Sequence, residues 1–150
     1  SQKQIQDIEV GDVVKSYQPI GMPNSDLNFL TYSTEDLEGS FFSGSVVVDI
    51  ESFNSYHYYT ISGSNGNSYH FHQLASVFAK DSGSNSYRFI QPFDLEVGDK
   101  LFDKDGNEIS ITSKDENYTG TVKTFYSLDV EDVDTYFTSD ILVHNIPGKD

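Results

Sequence analysis

The chain has 150 residues, no cysteine, 9 Lys and Arg against 24 Asp and Glu, and a formal net charge of −15. Without cysteine there are no disulfides and no thiolate metal sites, and the acidity argues against nucleic acid, whose phosphates demand Lys and Arg. The charge suits the steering of a basic polypeptide partner as well as plain solubility; with no apolar run near the roughly 20 residues of a membrane span and no visible signal peptide, the expectation is one soluble, cytoplasmic domain without membrane contact.

The 10 Tyr and 11 Phe, with many Val and Ile and 11 Gly among Ser and Asn clusters, favour strands joined by turns. Residues 5–17 read as a turn followed by a strand, and residues 18–44, with Pro19, Gly21 and Pro23, as mostly loop with a short hairpin. Strands are expected over 45–50 and 56–61, then a hairpin turn over 62–67 whose strongest local signal is Asn65-Gly66. Residues 69–78 continue the sheet, and the one helical expectation in the chain is a short segment near 74–80. An exposed loop over 81–86 leads to a strand at 87–90, and residues 103–108 form a second hairpin turn.

A hexapeptide occurs twice. Asp7-Ile8-Glu9-Val10-Gly11-Asp12 returns as Asp94-Leu95-Glu96-Val97-Gly98-Asp99, with only Ile changed to Leu, and each copy leads into an apolar strand. Two copies of one supersecondary unit imply pseudo-two-fold architecture, and each Gly-Asp suits a tight turn because glycine accepts positive φ without steric cost.

The apolar run Ile141-Leu142-Val143 ends in His144-Asn145. An asparagine amide can attack its own main-chain carbonyl, closing a succinimide and severing the following peptide bond, if a neighbour polarises that carbonyl or protonates the leaving nitrogen. An adjacent histidine, with an unperturbed pKa near ~6.5, suits that role.

The repeated Val-Gly-Asp, the segment Phe125-Tyr126-Ser127-Leu128-Asp129-Val130-Glu131, then Tyr136-Phe137, then Leu142-Val143-His144-Asn145 together resemble, in order and spacing, the inteins within the wider group of Hint (hedgehog/intein) self-processing domains. The likeness runs from about Ile5 to Asn145. It implies an all-β, horseshoe-shaped fold with pseudo-two-fold related halves, a splicing domain over residues 1–145 with flanking (extein) residues at 146–150, and no room for a homing endonuclease between the halves. The implied activity is autocatalytic, single-turnover protein splicing by N-terminal acyl shift, transesterification and asparagine cyclisation at Asn145, without metal, nucleotide or other cofactor. Since the chain lacks cysteine, any nucleophile of its own is an oxygen.

The family's Thr-x-x-His motif falls on Ser68-Tyr69-His70-Phe71-His72. By this likeness His72 assists the N-terminal junction and Tyr69 stands where threonine would; His70, on the same strand face, is the competitor. The positions where the family usually places an aspartate and, seven residues on, a histidine hold Ser127 and Asp134, which leaves Asp129, on the Ser127 face, as an alternative carboxylate; a solvated acidic edge is the plain alternative for Asp129, Asp132 and Asp134.

Two further departures bear on function. In an intact intein the first nucleophile lies roughly 20 residues ahead of the first Val-Gly-Asp, whereas Ser1 is ten residues before Gly11. Either Ser1 is the nucleophile of a short start, or, the reading taken, it is a non-native leading residue and the nucleophile comes on a short complementary N-terminal fragment, making this chain the larger part of an atypically split intein. That fragment would add a strand to an open sheet edge. Ile146, where splicing needs Cys, Ser or Thr, has no nucleophilic atom. A cleavage-only Hint domain and an inert acidic β-domain acting as a binding module are the competing readings.

Overall fold

The computed structural model describes residues 4–22, 29–131 and 134–145; Ser1, residues 132–133 and residues 146–150 lie outside them. The described residues hold no α-helix, and none of their helical turns is long and apolar enough to cross a membrane. Ten strands build the sheet: β1 (Val13–Gln18), β2 (Ser33–Thr34), β3 (Phe41–Gly63), β4 (Ser68–His72), β5 (Ser76–Lys80), β6 (Tyr87–Ile90), β7 (Lys100–Phe102), β8 (Glu108–Val130), β9 (Thr135–Thr138) and β10 (Ile141–His144). Their order is β1-β3-β8-β7-β5-β10-β9, with β4 on β3, and β6 joining β2 to β5.

The hexapeptide repeat folds into two congruent turns. Each follows a short 3-10 helix (Ile5–Asp7 and Pro92–Asp94), each places its glycine at strongly positive φ (96° at Gly11, 98° at Gly98), and each closes with an aspartate that accepts from the main-chain N–H three residues earlier. The bonds Asp12 Oδ2 to Glu9 N and Asp99 Oδ2 to Glu96 N are both 2.9 Å. Each turn then docks on one of the two 23-residue strands by the same pair of main-chain bonds: Gly11 N to Val47 O and Val47 N to Asp12 O on β3, Gly98 N to Ile111 O and Ile111 N to Asp99 O on β8. Since β3 and β8 pair with each other, the two halves are related by a pseudo-two-fold, and the fold is all-β.

Residues 45–50 and 56–61 belong to one strand rather than two. No breaker separates them, and β8 supplies an antiparallel partner from Val47↔Val130 to Gly63↔Ile111, with register shifts at three points. The second of these leaves Thr119–Val122 unpaired between His57↔Tyr118 and Ser55↔Lys123. The hairpin turns at Asn65-Gly66 and Asp105-Gly106 form as expected, with Gly66 at φ 87° and Gly106 at 81°.

The helix expected near residues 74–80 is instead a turn followed by β5. Ser76 to Ala79 are all buried, because β5 lies inside the sheet with β6, β7 and β10 as neighbours. A strand covered on both faces has no polar–apolar alternation to betray it. β10 is likewise buried at all four residues, and it pairs with β5 through Val143↔Val77 and His144↔Ser76, so the seam between the halves carries the C-terminal motif. One core cluster gathers Val47, Ile61, Val77, Leu101, Leu128 and Ile141; a second, mostly aromatic, gathers Tyr17, Phe29, Phe78, Phe89, Phe102 and Leu142. Burying one such side chain contributes roughly 1.5–3 kcal/mol, so both faces of β10 are held by packing, Ile141 and Val143 in the first cluster and Leu142 in the second, as well as by ladder bonds.

Candidate active site

β10 delivers His144 and Asn145 to the interior, at 2 % and 3 % exposure. The register of the β9–β10 hairpin is set by a two-residue turn in which Ser139 (φ 49°) and Asp140 (φ 73°) are both left-handed, a demanding geometry for residues with a Cβ. Lys104 secures it, donating its N–H to the Asp140 carbonyl (3.0 Å) and pairing through its ammonium with the carboxylate (3.3 Å). His144 then lies across from Thr135 on one side and Ser76 on the other.

The imidazole of His144 stacks flat on Phe29, with ring centroids 3.6 Å apart and planes 5° from parallel, and meets the edge of Phe89 at 5.4 Å. Clamped in this way, its Nδ1 sits 3.0 Å from the main-chain oxygen of Asn145. With the proton on Nδ1 this is a donor aimed at the carbonyl that asparagine cyclisation attacks. The Asn145 N–H donates to the Asp134 carbonyl (2.9 Å), fixing the backbone from the other side. Among the described residues Asn145 Oδ1 is buried without a hydrogen-bond partner, and so is Ser76 Oγ, across the ladder from His144. A buried polar atom without a partner marks a place where another group can complete the hydrogen bonding.

On the other wall, β4 alternates as a strand must. Ser68, His70 and His72 share one face and line a cavity of about 230 Å³ that His144 and Phe71 also border, while Tyr69, which does not line it, packs with Phe71 in the main core. Tyr69 therefore does not stand beside His72 as a surrogate threonine; its hydroxyl accepts from Asn65 Nδ2 at 2.8 Å, on the turn. His72 is 7 % exposed, and its Nδ1 accepts from the Leu74 N–H (3.0 Å). The neutral ring thus carries its proton on Nε2, while Phe53 and Phe125 flank it at 5.5 Å each. Burial, then the charge of His57, pushes the His72 pKa down. His70 shares a hydrogen bond between Nδ1 and Thr60 Oγ1 (2.9 Å), with Thr60 held in turn by Asn117 Nδ2; burial, then Lys123, pushes its pKa down as well.

The acidic candidates divide. Ser127 is fully buried and bonded to the Tyr136 hydroxyl, which also accepts from the Leu128 N–H; it stands behind the cavity wall that Tyr136 forms. Asp129 keeps the strand face of Ser127, since the ladder is regular from Glu51↔Ser127 to Asp49↔Asp129, but neither residue lines the cavity, so the placement of its carboxylate there is corrected: the face they share is not the cavity-facing one. Asp134 contributes through its main-chain carbonyl. Among the described residues no Asp or Glu lines this cavity. No local pattern marks Phe29, Phe89 and Lys123, whose parts depend on tertiary contacts. Ser1 and Ile146 lie outside the described residues.

A larger groove, about 670 Å³, runs between Val13, Val14 and Lys15 of β1 and Phe137 and Thr138 of β9, and shares Ile5, Gln6, Thr138 and Ser139 with the cavity.

No family model matches the chain, and no curated protein matches it. Solved structures do. The solution structure of a bacterial intein-like domain from Clostridium thermocellum is 22% identical, covers 94% of this chain and 86% of its own, and superposes with a TM-score of 0.71. The crystal structure of the gp41-1 intein is 17% identical, with 95% and 87% covered and a TM-score of 0.63. A consensus engineered intein with an atypical split site is 16% identical over 72% of this chain and 80% of its own, TM-score 0.53. The chain has the Hint fold of inteins.

Proposed function

We propose that residues 1–145 form a self-processing domain that splices proteins in trans, with residues 146–150 as flanking sequence. The observation that carries this reading is the 3.0 Å approach of His144 Nδ1 to the Asn145 carbonyl oxygen, beside a buried asparagine whose Oδ1 has no partner. A donor held at a reacting carbonyl withdraws charge as the tetrahedral centre forms. Asn145 Nδ2 attacks its own carbonyl carbon, the bond to residue 146 breaks, the released nitrogen takes a proton, and a succinimide remains. Proximity supplies much of the acceleration, since both reacting groups belong to one residue.

At the other junction, a hydroxyl or thiol on a short N-terminal fragment takes the preceding acyl group from its own nitrogen, assisted by the Nε2–H of His72. The groove between β1 and β9, opening towards His72 and His144, supports a partner bound there as an added strand. A nucleophile at position 146 would accept the acyl group before Asn145 cyclises, and an acyl shift from oxygen or sulfur to nitrogen would restore the peptide bond. Ile146 cannot do this. With isoleucine there, the second reading is cleavage without ligation.

The test is a mass spectrum of the incubated chain. Loss of residues 146–150 leaving a succinimide or asparagine end is expected, and Asn145→Ala abolishes it; tail loss persisting in that variant refutes the assignment. Incubation of an Ile146→Ser variant with candidate N-terminal fragments separates splicing from cleavage, since only splicing yields a joined product.

A further inference from the structure

Seven Lys and Arg side chains fall among the described residues, and six of them meet oxygen. Lys15 donates to the Lys104 carbonyl, Lys80 pairs with Glu108, Arg88 with Asp81, Lys104 with Asp140, Lys100 donates to Ser110 Oγ, and Lys114 donates to three carbonyls, those of Pro92, Phe93 and Leu95. The seventh, Lys123, has no oxygen partner among the described residues. Its ammonium lies over the rings of Tyr58 and Phe125, 5.6 and 5.9 Å from their centroids.

In a chain of net charge −15, a lysine with no oxygen partner among the described residues is out of character. Its position is specific: it lines the cavity shared by His70, His72 and His144, whose described walls hold no carboxylate. Local backbone aims it there. Thr119–Val122 leave the β3–β8 ladder, pairing resumes at Ser55↔Lys123, and two residues on, Phe125 packs its ring against His72. Aromatic faces hold an ammonium by its attraction to their π electrons without neutralising it, so the charge stays available to an anion entering the cavity.

We propose that Lys123 makes this cavity an oxyanion site: its ammonium meets the negative oxygen that develops on a carbonyl under attack there. The charge needs a fixed cation in a cavity from which acids are absent, because a neighbouring carboxylate would compete for the ammonium and repel the oxyanion. The catalytic part of this proposal rests on the self-processing reading; the anion site itself does not.

Acetate is the probe, as a small carboxylate with the charge and hydrogen-bonding oxygens of the intermediate. In the full chain at low ionic strength, the ring resonances of His70 and His72 shift saturably as acetate is added against a constant background of chloride. Lys123→Met weakens that binding at least about tenfold, Lys123→Arg restores most of it, and Lys80→Met, outside both cavity and groove, leaves it unchanged, as expected for one charge-assisted contact. Histidine resonances that do not move in the wild-type chain, or that move equally in Lys123→Met with its fold intact by circular dichroism, overturn the proposal. Loss of residues 146–150, followed in the same samples, reports on Asn145 separately: acetate binding without tail loss counts against self-processing and leaves the anion site standing.

Discussion

His144 and Asn145 are neighbours in sequence and are also hydrogen-bonded, the imidazole Nδ1 reaching the main-chain oxygen of the following residue at 3.0 Å. A side chain on an ordinary strand points away from the next carbonyl. Here the stacked Phe29 fixes the ring plane and the Asp134 carbonyl, by taking the Asn145 N–H, fixes the peptide.

His144→Gln should therefore slow loss of the C-terminal tail by about 10²–10³-fold, the usual cost of removing one donor from a reacting carbonyl. Phe29→Ala should slow it too, although Phe29 touches neither reacting atom, because the ring that holds the imidazole is gone. That variant also loses about 3–5 kcal/mol of stability from the buried aromatic, so tail-loss rates are compared at a temperature where circular dichroism shows both chains folded. Equal rates in wild type and His144→Gln would remove His144 from the chemistry.

Stability should fall on mild acidification. The folded-state pKa values of His70 and His72 lie below the unfolded ~6.5, chiefly through burial. Above that pH both states are neutral and the stability is fully present. As the pH drops below it, the unfolded chain binds protons that the folded chain refuses, so stability is lost through the folded-state pKa values. For His72 the refusal has a visible cause, since Nδ1 already accepts from the Leu74 N–H. Urea midpoints measured at pH 7.5, 6.5 and 5.5 should decline, and His72→Gln should flatten part of the decline. An unchanged midpoint in the wild type across this range contradicts the assignment.

The two copies of the repeated turn should differ in their tolerance. Asp99 is 3 % exposed and accepts from both Glu96 N and Ser82 N, whereas Asp12 is half-buried. Replacing Asp99 by Ala leaves two main-chain donors without their acceptor, one of them bridging to the loop after β5, and should cost about 2–3 kcal/mol, against roughly 1 kcal/mol or less for Asp12→Ala where water can substitute. Chemical denaturation of the two variants checks this; equal losses would mean that burial does not decide the difference.

These turns were legible because their chemistry is local: a glycine at positive φ and an aspartate that closes on its own backbone are specified within six residues. The common face of Ser68, His70 and His72 was legible for a similar reason, the two-residue period of a strand. That same period put Tyr69 on the wrong side for the role assigned to it. β5 was hidden by its burial on both faces, and the partnership of Phe29 with His144 by a separation of more than a hundred residues, which no local pattern reports. Asp129 does share the face of Ser127, but which way that face looks is set by how β8 packs in the sheet, and neither residue lines the cavity.

Ser76 offers a test of how the site is completed. Its hydroxyl is 1 % exposed, sits across the ladder from His144 and has no hydrogen-bond partner. A buried hydroxyl left unsatisfied costs about 1–3 kcal/mol, whereas alanine fills nearly the same space with no polar atom. Ser76→Ala should thus raise stability by about 1 kcal/mol, read as a higher urea midpoint at constant m-value. If the hydroxyl is instead satisfied by a bound water, the same substitution removes a real bond and lowers the midpoint. The direction of the change distinguishes a site that is strained before reaction from one that is already solvated.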